Sequence, residues 1–233
     1  CGFGNTAMQL AHQGMLPEVV AAVDRAMTAP RSLVAFERGA VGPSKDCAYE
    51  GPIVKAITGA PIAMEGKSAT CAHFSPLGNI AAAMCDLWSN ESVQNVRLLS
   101  GNAPEAFAEL LAYDCRLMNQ ALAQGGGRTL RDWLTASDRW LSPQAAILSP
   151  EATWEIAQAI VAEKSDYRRT VAAGQTAVRL LQEGVAAGHL VLADTERKWL
   201  DRLATGLTGL PATEEDLLAE MQDTYGHLYR PAS

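Results

Sequence analysis

The sequence predicts an α/β protein, namely the C-terminal part of a TIM (β/α)8 barrel followed by an α-helical C-terminal region. In the first half of the chain, short apolar runs of strand length alternate with helical segments, which is typical of parallel strands buried on both faces. The segment CGFGNT has only part of the glycine spacing that a dinucleotide-binding turn requires. After about residue 128 the pattern is almost purely helical. Because three βα units cannot close a barrel of eight, we expect the missing strands to precede Cys1.

The elements of the first half follow from apolar runs and from the residues that punctuate them. Proline at a first helical turn and glycine after a last turn mark several helix ends. The predicted helices are 5–14, one that begins at Pro17, 52–58, 77–88 and 104–123, and the predicted strands are 32–36, 61–64 and 93–99.

Three consecutive glycines, Gly125 to Gly127, form the natural boundary between the two parts of the chain. We therefore predict a partial barrel with catalytic loops over residues 1–124 and a helical region over residues 128–233. The helices predicted in the second region are 130–140, 150–187 with breaks near Gly174 and Gly184, 194–207 and 214–229.

Charge and composition exclude several classes of protein. The 233 residues include 19 Lys and Arg against 26 Asp and Glu, giving a net charge of −7, so a nucleic-acid or anionic-membrane partner is not expected. Apolar residues make up 48% of the chain, enough for a core, and no apolar run is long enough to span a membrane. With neither a signal peptide nor an initiator Met, we expect a cytoplasmic protein and a sequence taken from within a longer one.

Cys1 and Cys47 are the first candidates for a metal site. The five cysteines are odd in number and far apart, which suits reduced thiols or metal ligands better than disulfides. Cys1 comes shortly before a predicted helix, whose N-terminus lowers the pKa of a thiol, and Cys47 lies in the loop after the next predicted strand. Loops after successive strands face one mouth of a barrel, so the two thiols form half of a possible metal site. The alternative is a pair of buried cysteines that bind nothing.

Other residues with reactive side chains have simpler interpretations. Cys71, His73 and Cys85 form a rival cluster, but Cys85 is predicted inside a helix, where a cysteine behaves as a small apolar residue. Cys115 is predicted to pack in the core. Glu37 and Glu65 each follow a predicted strand, so they either point into the site or pair with loop residues such as Lys45 and Lys67. The remaining histidines are predicted on helix surfaces; they are His12, His189 and His227.

Three segments carry a resemblance to a known family: CGFGNTAM, RSLVAFERGAVGPSKDCAYEGPIVKAITG and MEGKSATCAHFSPLGNIAAAMCDLWSNESVQNVRLLSG. The chain resembles the zinc-containing methanol:corrinoid methyltransferases, densely up to about Asn119 and more loosely beyond it. The resemblance implies a TIM barrel that transfers the methyl group of methanol to the corrinoid of a separate corrinoid protein. It also implies Zn²⁺ held by two Cys and one Glu, of which the cysteines match Cys1 and Cys47, whereas the Glu belongs upstream of Cys1.

The resemblance leaves the substrate pocket and some alternatives open. Candidate pocket residues are Tyr49, Met64, Glu65 and His73, which lie in or near the loops after the predicted strands. An aromatic methyl ether demethylase and a non-catalytic scaffold that docks a corrinoid protein remain alternative functions. The helical region is expected to contribute either to the docking surface or to a homodimer contact.

Overall fold

A computed structural model describes residues 2–41, 45–46, 49–88 and 104–228. The elements up to residue 88 are α1 (Gly2–His12), α2 (Glu18–Glu37), β1 (Lys45–Asp46), α3 (Gly51–Thr58), β2 (Ala63–Met64), α4 (Thr70–Phe74), α5 (Gly78–Met84) and β3 (Leu87–Trp88). The later helices are α6 (Pro104–Ala123), α7 (Gly127–Asp138), α8 (Pro143–Leu148), α9 (Pro150–Ala162), α10 (Asp166–Ala186), α11 (Asp194–Thr208) and α12 (Glu214–Tyr225), and a 3₁₀ turn (Gly226–Leu228) follows.

The three strands form a parallel sheet in consecutive order. Lys45 pairs with Ala63, which pairs with Leu87, and the next residue of each strand continues the same register. The parallel arrangement confirms the predicted βα pattern. Only the strand at 61–64 falls where the sequence predicts one, because β1 lies in a predicted loop and β3 in a segment predicted as helix. The strand predicted at 93–99 lies outside the described residues.

The strand predicted at 32–36 is wrong, since these residues form the last turns of α2. An apolar run this short fits a strand or a buried helix equally well. The neighbouring residues decide, because one face of α2 is buried at helical spacing through Ala22, Ala26, Ala29 and Leu33. Pro30 is also buried and is accommodated within the helix. Glu37 therefore ends a helix and does not follow a strand.

Helix α2 lies at the centre of the molecule. It packs against α1, α3, α8, α10 and α11, and α9 packs against both α3 and α10. One core cluster extends from Met8 to Leu207, so residues on both sides of Gly125 to Gly127 share it. The division of the chain at these glycines remains a prediction about its organisation.

Helix α10 is continuous, so the breaks predicted near Gly174 and Gly184 are wrong. The interruption comes earlier, after α9, and the hydroxyl of Ser165 accepts a hydrogen bond of 3.2 Å from the backbone N–H of Arg168 to begin α10. The two glycines serve close packing instead. A Cβ at position 174 would lie 3.0 Å from Met27 of α2, and a Cβ at position 184 would lie 2.7 Å from the Trp140 ring.

The remaining helix predictions are confirmed to within a few residues, with one exception. Helix α5 ends at Met84 rather than continuing to Trp88, and the strand β3 follows. Thr213 begins α12 by accepting a hydrogen bond of 3.1 Å from the backbone N–H of Asp216. Within the ranges that the structure describes, no helix combines the length and the apolarity that crossing a membrane requires.

Candidate functional site at the carboxyl ends of the strands

The carboxyl ends of the three strands define one edge of the sheet. Asp46, Met64 and Trp88 end β1, β2 and β3 and are mutually in register. Ligands of open and closed parallel sheets bind at this edge, because the loops that leave the strands converge there. The residue after β2 is Glu65, whereas the residue after β1 is Cys47, which lies outside the described residues together with Cys1.

Glu65 follows the central strand, as predicted, and only 1% of it is exposed. Met64, the last residue of β2, is equally buried. Gly66 continues the turn with a φ of 97°, a conformation that favours glycine. A buried carboxylate is tolerated only where polar or charged groups compensate its lost hydration. The strand end therefore presents a polar group that has been removed from bulk water.

Tyr49 is fully buried in the loop between β1 and α3 and has a φ of 66°, in the left-handed region. Such a conformation costs about 1 to 3 kcal/mol for a residue other than glycine and persists only where its surroundings hold it. Arg25 of α2 supplies part of that support, because its guanidinium carbon lies 5.1 Å from the centre of the Tyr49 ring. The chain is thus anchored to the central helix at Tyr49, just before α3.

Arg25 is held by a second contact at the other end of its guanidinium. Its Nη2 donates a hydrogen bond of 3.1 Å to the hydroxyl of Ser75, which is also fully buried. The Ser142 hydroxyl donates a hydrogen bond of 2.7 Å to the backbone carbonyl of Ser75. Sequence reasoning missed Arg25 and Ser75. An arginine on the alanine-rich face of a helix was the available signal, because a buried charge must have partners.

A second polar cluster lies near the start of α3. Glu50 is 2% exposed, accepts a hydrogen bond of 3.1 Å from the Ser32 hydroxyl and lies 3.9 Å from Arg31. Burial raises the pKa of the nearby Asp24 carboxyl, an effect that Arg31 opposes and that Glu50 reinforces. These contacts tie α2 to the loop after β1 and serve the same anchoring role as Arg25.

The predicted pocket residues do not all share one environment. Tyr49 and Met64 belong to the same buried core cluster, and Glu65 is buried beside Met64 in the chain. His73 lies on α4 and is exposed. His12 is exposed and stacks on Phe74 with 3.6 Å between ring centroids. The structure thus places three of the four candidates inside the protein and leaves His73 at its surface.

Two predictions about cysteines are corrected, one for Cys85 of the rival cluster and one for Cys115. Cys85 follows the end of α5 in an extended conformation, and burial raises the pKa of its thiol to about 12. A thiol that stays protonated is a poor metal ligand, since the thiolate is the form that binds. Cys115 is exposed on α6 rather than packed in the core. Across the part of the chain that the structure describes, no group of three His, Cys, Asp or Glu side chains is placed to hold a metal.

The ion pairs of the loop residues also differ from expectation. Lys67, expected to pair with Glu37 or Glu65, instead places its Nζ 2.9 Å from the Asp114 carboxylate of α6. Glu37 lies 3.7 Å from Arg169 of α10, which places it in the interface between helices. The side chain of Lys45 lies outside what the structure describes.

The three parallel strands, joined by helices and with buried polar groups at their carboxyl ends, define an α/β protein, the class that the sequence predicted. The chain belongs to the methanol-cobalamin methyltransferase B subunit family, whose profile matches residues 1–232. The resemblance stated from the sequence is thereby confirmed.

Two relatives from Methanosarcina barkeri illustrate the similarity. The methanol--corrinoid protein co-methyltransferase is 44% identical over 215 residues, which cover 91% of this chain and 46% of that protein. The crystal structure of a methanol:cobalamin methyltransferase complex contains a chain that matches with a TM-score of 0.84 and 39% identity, over 98% of this chain and 51% of that chain. This chain therefore spans about half the length of the relatives that it matches.

Proposed function

We propose that this chain forms part of an enzyme that transfers the methyl group of methanol to the corrinoid of a partner corrinoid protein. The family match carries the proposal, because the profile covers residues 1–232. In support, a relative whose name states this reaction is 44% identical over 215 residues. The carboxyl edge of the sheet, with its buried polar groups, is where a barrel of this kind places its reacting groups.

We propose further that Cys1 and Cys47 bind Zn²⁺ together with a glutamate upstream of Cys1. The donor set fits the metal, because thiolate and carboxylate groups are ordinary zinc ligands and three protein ligands leave an open position. The support from the structure is indirect: β1 ends at Asp46, so Cys47 is the first residue after a strand. When bound, zinc supplies a Lewis acid that polarises the alcohol oxygen.

The chain's own residues have separate roles in this proposal. Tyr49 and Met64 are buried side chains that exclude water from the strand ends. Breaking the C–O bond of methanol leaves an oxygen that must take up a proton to depart as water. Glu65 is a buried carboxyl that directly follows the central strand, and we assign its carboxyl oxygens to hold that proton. His73 is exposed, so it belongs at the mouth, where the partner's corrinoid would approach.

Assembly and location remain part of the proposal. The partner is a corrinoid protein that docks over the mouth, and the helical region is a candidate for contacts within a homodimer. We place the protein in the cytoplasm, in keeping with its five widely spaced cysteines, an odd number that suits reduced thiols.

Metal analysis of the complete gene product tests the zinc site. We expect about one zinc per chain in the wild type, since three protein ligands with an open fourth position make one site. Cys1→Ser and Cys47→Ser should each lose the metal, whereas the control Cys115→Ser changes an exposed thiol and should keep it. Methyl transfer from methanol to reduced corrinoid protein is then measured for each. Full activity in metal-free protein would refute the zinc site, and metal-loaded protein that demethylates only aromatic methyl ethers would refute methanol as the substrate.

A further inference from the structure

An apolar cleft of about 180 Å³ lies between α6, α7 and the end of β3. Leu111 and Met118 form its wall on α6, Leu130 and Leu134 form its wall on α7, and the Trp88 side chain lies at the strand end. The cleft is open to solvent on one side, where the lining residue Leu117 is 43% exposed. An apolar concavity with a few polar groups is the usual form of a small-molecule site.

The polar groups that line the cleft include an ion pair, the carboxylate of Asp86 and two thiols. Lys67 Nζ lies 2.9 Å from Asp114 Oδ1, and the Asp114 side chain is only 8% exposed. The second Asp114 carboxylate oxygen is buried and makes no hydrogen bond to the residues that the structure describes. The Lys67 side chain is 31% exposed, so the pair is only partly removed from water. It places one cation and one anion in the cleft wall.

The pair also defines which ligands suit the cleft. The two charges of this pair cancel, and Asp86, the other charged lining residue, has its Oδ2 2.7 Å from Lys55 Nζ. The cleft therefore favours an uncharged molecule over an ion. The lysine ammonium has three N–H donors, of which the Asp114 bond uses one. A ligand that offers an oxygen lone pair beside an apolar body therefore complements both the ammonium and the leucine walls.

The volume limits the size of such a ligand. An apolar protein cavity of about 150 Å³ binds benzene. The present cleft, at about 180 Å³, is large enough for a six-membered ring with one or two further atoms. A short chain of similar volume would fit but would lose more conformational freedom on binding.

We propose that this cleft binds an uncharged small molecule that combines an apolar ring with one oxygen acceptor, and that Lys67 Nζ donates a hydrogen bond to that oxygen. None of the lining residues is among those proposed to hold zinc or to contact methanol. The inference is therefore independent of the proposed function, and it holds for metal-free protein.

Anisole and ethylbenzene form a matched pair of probes, since they differ only in an ether oxygen replaced by CH₂. Binding to the metal-free complete gene product is measured for both by calorimetry and by ligand-observed NMR. We expect saturable binding of both, with anisole about tenfold tighter because of the hydrogen bond. The double variant K67M/D114L removes the pair without leaving a buried charge and should bring the two affinities together. Equal affinities in the wild type, or discrimination that survives in the double variant, would overturn the assignment of Lys67.

Variants that fill the cleft test its position. Met118→Trp on α6 and Leu134→Phe on α7 should each weaken the binding of both probes by at least about tenfold, because the added side-chain volume occupies the ligand's space. The control Leu110→Trp changes a residue of α6 that is 44% exposed and does not line the cleft, so it should leave both affinities unchanged. Circular dichroism confirms that each variant is folded. Absence of binding to the wild type, or binding unchanged in both folded filling variants, would overturn the site.

Discussion

Replacing Gly78 by alanine tests the packing beside the strand ends most directly. Gly78 is the first residue of α5, and a Cβ built there would lie 2.4 Å from the carbonyl oxygen of Lys67 and 3.1 Å from its Cγ. The carbonyl belongs to the backbone, so it cannot move aside as the end of a flexible side chain can. The segment between Glu65 and Lys67 must therefore shift, or α5 must begin differently.

The expected cost follows from the two contacts that such a shift disturbs. Overpacking of this kind costs about 1 to 3 kcal/mol. Displacing Lys67 also weakens its ion pair with Asp114, although 31% exposure of the lysine side chain reduces that contribution. We expect Gly78→Ala to lower the free energy of unfolding by about 1 to 4 kcal/mol.

Gly206→Ala is the matched control, with the opposite expected sign. Gly206 lies inside α11, and a Cβ there would meet nothing within 4 Å. Alanine should therefore raise the free energy of unfolding by about 0.5 to 1 kcal/mol, because it restricts the unfolded chain and favours the helix. Urea unfolding followed by circular dichroism measures both variants, and 1 kcal/mol corresponds to about 2 to 4 °C in Tm for a chain of this length. Gly78→Ala that is as stable as the wild type would refute the close contact with Lys67.

Two further predictions concern perturbed groups. Burial raises the pKa of the Glu18 carboxyl above its ordinary value of 4.5, and the negative charge of Glu196 raises it further. The stability that the protonated Glu18 carboxyl contributes is therefore fully present below pH 4.5 and is lost as the pH rises through the folded-state pKa. Glu18→Gln should therefore stabilise the protein near neutral pH and lose this advantage towards about pH 4, as measured by urea unfolding; a gain of equal size at both pH values would contradict the assignment. Because burial raises the pKa of Cys85 to about 12 whereas Cys115 is exposed, iodoacetamide should alkylate Cys115 much faster, and peptide mass spectrometry that finds equal rates would show the Cys85 thiol to be accessible.

Helix ends were readable from the sequence where local chemistry determines them. Proline at the first turn placed the start of α3 and of α6 close to the observed residues, and Thr213 placed the start of α12. Each signal acts through backbone groups within one turn, so it needs no partner from elsewhere in the chain. These helix ends therefore do not depend on contacts with distant parts of the chain.

Several predictions that depended on distant contacts failed. The run at 32–36 extends α2 because that helix packs against several other helices, and Leu33 is buried in this packing whatever the local preference of the residues. Gly174 and Gly184 remain inside α10 because the lack of a side chain lets Met27 and Trp140 approach closely, a benefit that the sequence alone does not display.

At the candidate site, too, some features were predictable from the sequence and others depended on distant contacts. The sequence placed Glu65 after a strand and identified Tyr49 and Met64 as candidate lining residues, and the structure finds all three buried. It gave no sign that Arg25 contacts Tyr49, because 24 positions separate them and only the packing of α2 against the strand loops brings them together.

By itself the sequence determined the α/β class, the parallel βα order and the family, because composition, local helix signals and the quoted segments are properties of the linear chain. Only the tertiary structure decided where the strands lie, that Lys67 pairs with Asp114 and that an apolar cleft opens beside that pair. These features arise from contacts between residues far apart in the chain, where side-chain shape and burial outweigh local propensity.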